Sequence, residues 1–231
     1  MPEWHDLSQS FHEEMPHAAV HPKPSFETVS DVATDGIGVT QFTAVTHVGT
    51  HVDAPRHFVP GGATIDDLPL ERFAGPGVVV DVRCEQPREI DVADVRAAPG
   101  EVRDGDVVIL YTGWAEKYGT DDYDPHPWLS ADLAAWFVER DVTLVGVDTI
   151  TPDLPVPRRP DGWMAYPVHR ELLGNGVLVA EHLGNLAPVA GQRLEVVGFP
   201  IKVRDGDGAQ ARFAARVPDA ADAADAADPG R

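Results

Sequence analysis

The stretch from His47 to His57 combines three histidines and one aspartate within eleven residues. Four of its side chains are separated by even numbers of residues, so an extended chain would place them on one face. These side chains are His47, His51, Asp53 and His57. A helix fits badly, because it would turn Asp53 away from His47 and His51, and because the β-branched residues of the stretch disfavour it. The spacing therefore predicts a strand with four polar side chains on one face.

A straight strand could not bring these side chains together, because at about 3.3 Å per residue its ends would lie more than about 30 Å apart. Gly49 and Pro55 are the positions at which the strand can bend. Imidazole nitrogens and a carboxylate oxygen that converge are typical ligands of zinc or manganese. We therefore predict a bent strand that carries a metal site. The alternative interpretation is a polar strand whose histidines face water.

The composition is that of an acidic globular protein. The 231 residues are 43% hydrophobic, the formal net charge is −20 and the pI is about 4.6. This charge disfavours nucleic acid and anionic membrane surfaces as partners. Cys84 is the only cysteine, which excludes an intramolecular disulfide and a thiolate-rich zinc site. Since the sequence has neither an apolar stretch of membrane-spanning length nor a signal-peptide pattern, we expect a cytoplasmic protein.

Hydrophobic patterning predicts an α/β fold in one domain, residues 1–217, followed by a disordered Ala/Asp-rich acidic tail, residues 218–231. Continuous apolar runs predict buried strands at 77–82, 106–111, 142–147 and 176–181. Helical spacing and capping residues predict helices at 91–98, 131–140 and 167–173, and a helical turn at 70–73. β-rich segments predict a first strand at 5–11 and hairpins of 26–33 with 37–48, which would deliver the motif, and of 193–203 with 209–217. The proline-rich segment 151–162 is predicted to be an irregular loop.

The stretch from His47 to His57 matches the pattern HxGTHxDxPxH at every fixed position. On this motif the chain resembles the cyclase-family metal-dependent hydrolases, which include bacterial kynurenine formamidases and isatin hydrolases. The resemblance extends over most of residues 5–200. It implies the single-domain cyclase-family α/β fold, a mixed sheet with swivelling β/β/α character. It also implies a homodimer or homotetramer that acts on a small molecule.

The resemblance also supplies metal ligands from outside the motif. In the formamidase branch a histidine and a glutamate twelve residues apart complete a dinuclear zinc site, and His169 and Glu181 match that spacing. Without the resemblance, His169 would be interpreted as a helix-surface histidine and Glu181 as a solvated strand end. The implied ligands are His47, His51 and Asp53 on one ion and His169 on the second, with Asp53 and Glu181 bridging both. Two zinc ions are expected, with manganese as the alternative, because ligand type alone does not separate these metals.

The chemistry that this site implies is hydrolysis of a small amide. Metal ions lower the pKa of a bound water, so that hydroxide can attack a carbonyl, and they stabilise the oxyanion that develops. His57 lies on the motif face but outside the ligand set, so we interpret it as the acid/base that carries a proton to the leaving group. The alternative role for His57 is that of a further metal ligand.

The leading candidate substrate is an aryl formamide of the N-formylkynurenine type, cleaved at its C–N bond. One alternative is the opening of a cyclic amide or lactone, as in isatin hydrolases, which carry glutamine where Glu181 stands. A second alternative is a metal-dependent cyclase or dehydratase of secondary metabolism. A third is a non-catalytic metal-binding protein, which would not need a free His57.

Candidate substrate contacts lie outside the motif. His21 stands where kynurenine formamidases carry a tryptophan that contacts substrate, and Trp163 and Met164 are expected to line an apolar pocket wall. Arg158 and Arg159 could clamp a substrate carboxylate, although a solvated loop pair is the favoured interpretation.

Two further histidines receive structural interpretations. His126 lies between two prolines and is interpreted as a turn residue. His182 follows Glu181, so on a strand it would point away from the site.

Overall fold

The computed structural model of this chain describes residues 3–18 and 20–218. Its helices are α1 (Val32–Asp35), α2 (Val92–Ala97), α3 (Ala131–Glu139) and α4 (Pro167–Gly174). Short 3-10 helices lie at Pro55–His57, Leu70–Arg72, Trp114–Lys117, Val156–Arg158 and Ala187–Val189. Within the described ranges, no helix is long and apolar enough to cross a membrane. Except for Pro218, the acidic tail at 218–231 lies outside the described residues, so the domain boundary stays a prediction.

The strands of the described chain form one large sheet and two small pairs. They are β1 (Trp4–Asp6), β2 (Ser25–Ser30), β3 (Val39–Thr43), β4 (His51–Asp53), β5 (Ala74–Asp81), β6 (Glu89–Ile90), β7 (Val107–Tyr111), β8 (Trp128–Leu129), β9 (Leu144–Val147), β10 (Leu178–Glu181), β11 (Arg193–Val197), β12 (Gly208–Gln210) and β13 (Ala214–Arg216). The large sheet has the order β1-β13-β11-β5-β7-β9-β10-β4-β12. Within this sheet the neighbouring strands β5, β7, β9 and β10 run parallel to one another. All other neighbouring strands of the sheet are antiparallel. The predicted mixed α/β architecture is confirmed.

The large sheet curls strongly, which the positions of β12 and β13 require. Only three residues separate these two strands along the chain, yet seven strand positions separate them in the sheet order. In a flat sheet that separation would be about 34 Å, whereas the connecting chain reaches only about 14 Å. The curl therefore brings β12 and β4 close to the strands at the opposite end of the sheet.

Both faces of the parallel strands are buried, as their continuous apolar runs predict. Val79 of β5 packs with Ile109 in a core on one face of the sheet. Val78 packs on the other face, in a core that includes Phe137 of α3. That helix begins where the side chain of Ser130 accepts a backbone hydrogen bond, as its sequence predicts.

The N-terminal strands are shorter than predicted. β1 ends at Asp6 instead of residue 11, and beyond it the chain forms only an isolated bridge, between Ser8 and Leu183. β2 and β3 do form an antiparallel pair, but α1, which Asp31 caps, connects them instead of a tight turn. This pair is a separate two-stranded sheet that ends at Thr43, so the prediction that it runs directly into the motif is wrong.

Only part of the predicted C-terminal hairpin forms. β11 pairs with β13 as expected. The segment before β13, however, forms β12, which pairs with β4 at the far edge of the sheet. Ala209 faces Val52 in that pair, and both are buried. Alternating hydrophobicity predicts a strand but does not identify its partner, which explains the error.

We predict that Gly77→Ala lowers the free energy of unfolding by about 1–3 kcal/mol, because β5 packs too closely for a side chain at this position. A Cβ at Gly77 would lie 2.5 Å from the backbone oxygen of Val107 and 3.0 Å from Val196 Cγ2. Gly75 lies in the same strand, and a Cβ there would meet no atom within 4 Å, so Gly75→Ala should change stability by less than about 0.5 kcal/mol. Urea unfolding followed by tryptophan fluorescence measures both, and equal midpoints for the two variants would contradict the packing.

Candidate metal centre

The motif strand bends at the two predicted positions. Gly49 has a φ of 64°, and Pro55 begins a 3-10 helix that ends at His57. Between the bends, β4 is fully buried between β10 and β12. Its register places His51 directly opposite Glu181 of β10. The bend and the strand pairing together bring the motif to the end of β10.

Two carboxylates lie at the centre of the cluster that results. Asp53 Oδ1 lies 2.6 Å from His47 Nδ1 and 3.3 Å from His51 Nε2, and Asp53 Oδ2 lies 3.3 Å from His169 Nε2. Glu181 Oε2 lies 3.4 Å from His51 Nε2, and Glu181 Oε1 lies 3.1 Å from His169 Nε2. All five residues that the sequence predicts as ligands therefore converge, and both carboxylates contact histidines from two segments of the chain.

The cluster leaves polar atoms that a cation would satisfy. Within the part of the chain that the structure describes, three buried atoms that face the centre of the cluster have no hydrogen-bond partner: His51 Nε2, Asp53 Oδ2 and Glu181 Oε1. Leaving such atoms unpaired is costly in a protein interior. Donor atoms of His51, Asp53 and Glu181 also lie within 4.8 Å of one another, as metal ligands do. The residues present thus fit a metal ion, although the ligand roles stay predictions.

His57 stands beside this cluster. Its ring stacks on His47 with centroids 3.8 Å apart and lies 6.0 Å from the ring of His169. Burial, together with the charges of His47 and His169, lowers the pKa of His57 to about 4, although Asp53 opposes this shift. His57 also falls within 4.8 Å of donor atoms of His47 and Asp53, so a ligand role for it remains the alternative to acid/base catalysis.

The histidines of the cluster are oriented by acceptors that sequence reasoning missed. His51 Nδ1 lies 2.8 Å from the carbonyl oxygen of Gly49, and His169 Nδ1 lies 2.6 Å from Asp153 Oδ2. His47 Nε2 lies 3.2 Å from Asp207 Oδ2, in the segment that leads into β12. An acceptor on one ring nitrogen fixes the tautomer and leaves the other nitrogen free to bind a metal.

Asp153 holds both His169 and the start of α4. This fully buried carboxylate accepts hydrogen bonds from the backbone N–H groups of Val168 and His169 and from His169 Nδ1. The residue before the helix, Tyr166, has a φ of 41° and provides no capping hydrogen bond. The sequence around Tyr166 offers no residue that commonly caps a helix. This absence was the signal in the sequence that a residue from elsewhere in the chain must cap α4.

The structure contradicts the interpretation of His182 and extends that of His126. His182 has a φ of 56°, so strand alternation does not extend to it. His182 is buried, and its ring centroid lies 6.0 Å from that of His51. Its Nδ1 lies 3.0 Å from Tyr123 Oη. The interpretation that His182 points away from the site is therefore wrong. His126 lies in an irregular segment, as expected, but it is buried, and its Nδ1 lies 2.8 Å from the carbonyl oxygen of Pro127.

The predicted substrate contacts separate into two groups. His21 is exposed, and the described residues give it no hydrogen bond or ring contact with the cluster, so its substrate role stays a prediction. Trp163 is half-buried, and its ring centroid lies 4.7 Å from that of Tyr166. The ring centroid of Tyr166 lies 5.1 Å from that of Phe58. We name Phe58, Trp163 and Tyr166 the aromatic wall, because Phe58 also lies 4.7 Å from the ring of His169. Met164 is exposed and does not belong to this wall.

The curled sheet recurs in solved structures. Isatin hydrolase A from Ralstonia solanacearum superposes with a TM-score of 0.82 at 24% identity, over 94% of this chain and 92% of that chain. A predicted metal-dependent hydrolase from Bacillus stearothermophilus superposes with a TM-score of 0.75 at 25% identity, over 94% and 98%. The class that the fold defines is therefore that of the cyclase-type α/β proteins, as the motif predicts.

Sequence comparison identifies the family within this class. The family model described as "Putative cyclase" matches residues 5–154. The kynurenine formamidase of Salinibacter ruber is 32% identical over 74% of this chain and 76% of that protein. The kynurenine formamidase of Geobacillus thermodenitrificans is 29% identical over 92% and 97%. The chain belongs to the Cyclase family, and this membership, together with the histidine–carboxylate cluster, indicates a metal cofactor.

We predict that Asp153→Asn lowers metal affinity by roughly 10- to 100-fold, because asparagine offers one acceptor oxygen to three donors and removes the charge behind His169. Competition with a chromophoric zinc chelator measures the affinity, and circular dichroism checks the fold. Asp104→Asn is the matched control, since Asp104 pairs with Arg140 at the surface. A folded Asp153→Asn variant that binds zinc as tightly as this control would contradict the orienting role.

Proposed function

We propose that this protein is a metal-dependent hydrolase that cleaves the C–N bond of an aryl formamide of the N-formylkynurenine type. The observation that carries the proposal is the pair of buried carboxylates, Asp53 and Glu181, that both face His51 and His169. Curated kynurenine formamidases that align over most of their length support the substrate class.

Two zinc ions are the cofactor that we propose, with manganese as the alternative. His47, His51 and Asp53 would hold one ion, His169 would hold the second, and Glu181 would bridge them together with Asp53. When bound, such a pair supplies Lewis-acid polarisation of a carbonyl and an activated water. The protein contributes the rigid frame, because β4 and β10 are hydrogen-bonded neighbours and Asp153 fixes the ring of His169.

His57 moves the proton that hydrolysis requires. It lies next to the ligand cluster, stacked on His47, and it can take a proton from the nucleophile and return it to the departing arylamine at an imidazole nitrogen. The aromatic wall lies on the side of His169, where its rings would pack against an aryl substrate. This wall favours an aryl substrate over an aliphatic one.

The assembly and location of the protein remain predictions. The homodimer or homotetramer and the cytoplasmic location follow from the family resemblance and the sequence pattern alone.

We predict that His57→Ala retains bound metal but lowers kcat/KM by about 10²- to 10⁴-fold, the usual contribution of an acid/base group. His51→Ala should instead lose metal, because Nε2 of His51 faces both carboxylates. Metal content is measured by atomic emission on purified protein, and turnover by release of the free arylamine. A His57→Ala variant that purifies without metal would make His57 a ligand and overturn the assignment.

We predict that the zinc-loaded enzyme hydrolyses N-formylkynurenine and formanilide in ¹⁸O-water with label in the formate that is released. Chelation should abolish turnover, and added zinc should restore it. Faster opening of isatin or of a lactone than of any formamide would favour the ring-opening alternative. Turnover of a substrate without incorporation of label would contradict hydrolysis and favour a cyclase or dehydratase.

A further inference from the structure

Arg159 is immobilised against the aromatic wall. Its Cζ lies 4.6 Å from the ring centroid of Trp163 and 4.9 Å from that of Tyr166. Its Nε donates a hydrogen bond of 2.7 Å to the carbonyl oxygen of Leu154, and its Nη1 donates one of 3.1 Å to Tyr166 Oη. The neighbouring Arg158 is exposed and lies over Trp128 instead. The two arginines therefore do not form the solvated pair that the sequence favours.

Arg159 lies near the candidate metal centre, on the far side of the Tyr166 ring. The ring of Tyr166 lies 6.2 Å from that of His169, so one aromatic ring separates the Arg159 guanidinium from a proposed ligand. An aryl substrate whose scissile amide lies at the ligands and whose ring follows the wall would extend about one ring length in the same direction. The far side of that ring would then approach Arg159.

The charge of Arg159 is not neutralised by a carboxylate of the described residues. The protein has 38 acidic and 18 basic residues, and seven of the fourteen arginines in the described residues form an ion pair with a carboxylate. Arg159 makes no such ion pair with a described residue, and the hydrogen bonds that hold it use neutral acceptors. Burial raises the pKa of Asp124, and the charge of Arg159 opposes that rise; burial lowers the pKa of His126 to about 4, and the same charge adds to that fall. Neither group forms an ion pair with Arg159. In a protein whose net charge repels anions, Arg159 offers a positive group at the edge of the site.

We propose that Arg159 selects aryl amides that carry a carboxylate on the side of the ring remote from the scissile bond. This inference rests on the proposed function and names the substrate class within it. No described residue accepts a hydrogen bond from Nη2, so this group can donate to a carboxylate while Nε and Nη1 hold the side chain in place. Because the side chain is already ordered by two rings, little conformational entropy is lost when an anion binds.

The test compares two isosteric substrates, 4-formamidobenzoate and 4-formamidobenzamide, and their 3-substituted isomers. The readout is the ratio of kcat/KM for the anionic member to that for the neutral member. We expect wild type to prefer the carboxylate, and Arg159→Gln to lower the ratio by roughly 10- to 100-fold, as expected for a charged hydrogen bond. Arg159→Lys should restore part of the ratio, because it keeps the charge but loses the planar fork.

Arg158→Gln is the matched control, since it removes the same charge from the adjacent residue and should leave the ratio unchanged. If Arg159 only holds its loop in place, Arg159→Gln will lower kcat/KM equally for both substrates, and the inference is wrong. An equal loss of the ratio in Arg158→Gln would indicate a general charge effect and would also overturn it. If wild type hydrolyses N-formylkynurenine but none of the four formamides, the inference is wrong while the proposed function stands; if it hydrolyses no formamide at all, the proposed function itself fails.

Discussion

The burial of Asp53 is the constraint on which the rest of the structure depends. Its carboxylate is completely buried and lies 2.6–3.3 Å from nitrogens of His47, His51 and His169. Although burial opposes it, the charge and the hydrogen bond of His47, together with the nearby ring nitrogens of His169 and His51, hold the pKa of Asp53 well below its ordinary value. A buried carboxylate is tolerated only if positive groups surround it. The fold must therefore deliver histidines, or cations, from several segments to this one side chain.

The curled sheet meets that requirement. It places β4 between β10, which carries Glu181, and β12, which follows Asp207. The same curl packs Gly208 against His47, where a Cβ would lie 2.8 Å from His47 Cε1. The loop after β9 supplies Asp153, which orients His169 from outside the cluster. The centre is thus rigid because Asp207 and Asp153, from two distant segments, hold His47 and His169, while Gly49 within the motif holds His51. This rigidity suits catalysis by positioning.

Much of this arrangement follows from local sequence. The even spacing of His47, His51 and Asp53 places them on one face of an extended chain, and Gly49 and Pro55 allow the bends that the structure contains. The parallel strands and the helices α2 and α3 were also predictable, because their hydrophobic periodicity and capping residues depend only on near neighbours. The start of α4 was predictable from Pro167, although the residue that caps this helix was not. The family resemblance extended the prediction to His169 and Glu181, which local spacing could not connect.

Tertiary structure alone decided which segments meet. The partner of β12 is β4 and not the expected hairpin strand, because an alternating pattern specifies a face but not a neighbour. Asp153 and Asp207 reach the histidines across long sequence separations, and His182 turns towards His51 through a positive φ that its sequence does not signal. The environment of Arg159 likewise depends on rings that folding brings around it. The sequence by itself determined the chemistry of the motif and its bends, whereas contacts between distant segments, which no local period encodes, determined how the motif is completed and what surrounds it.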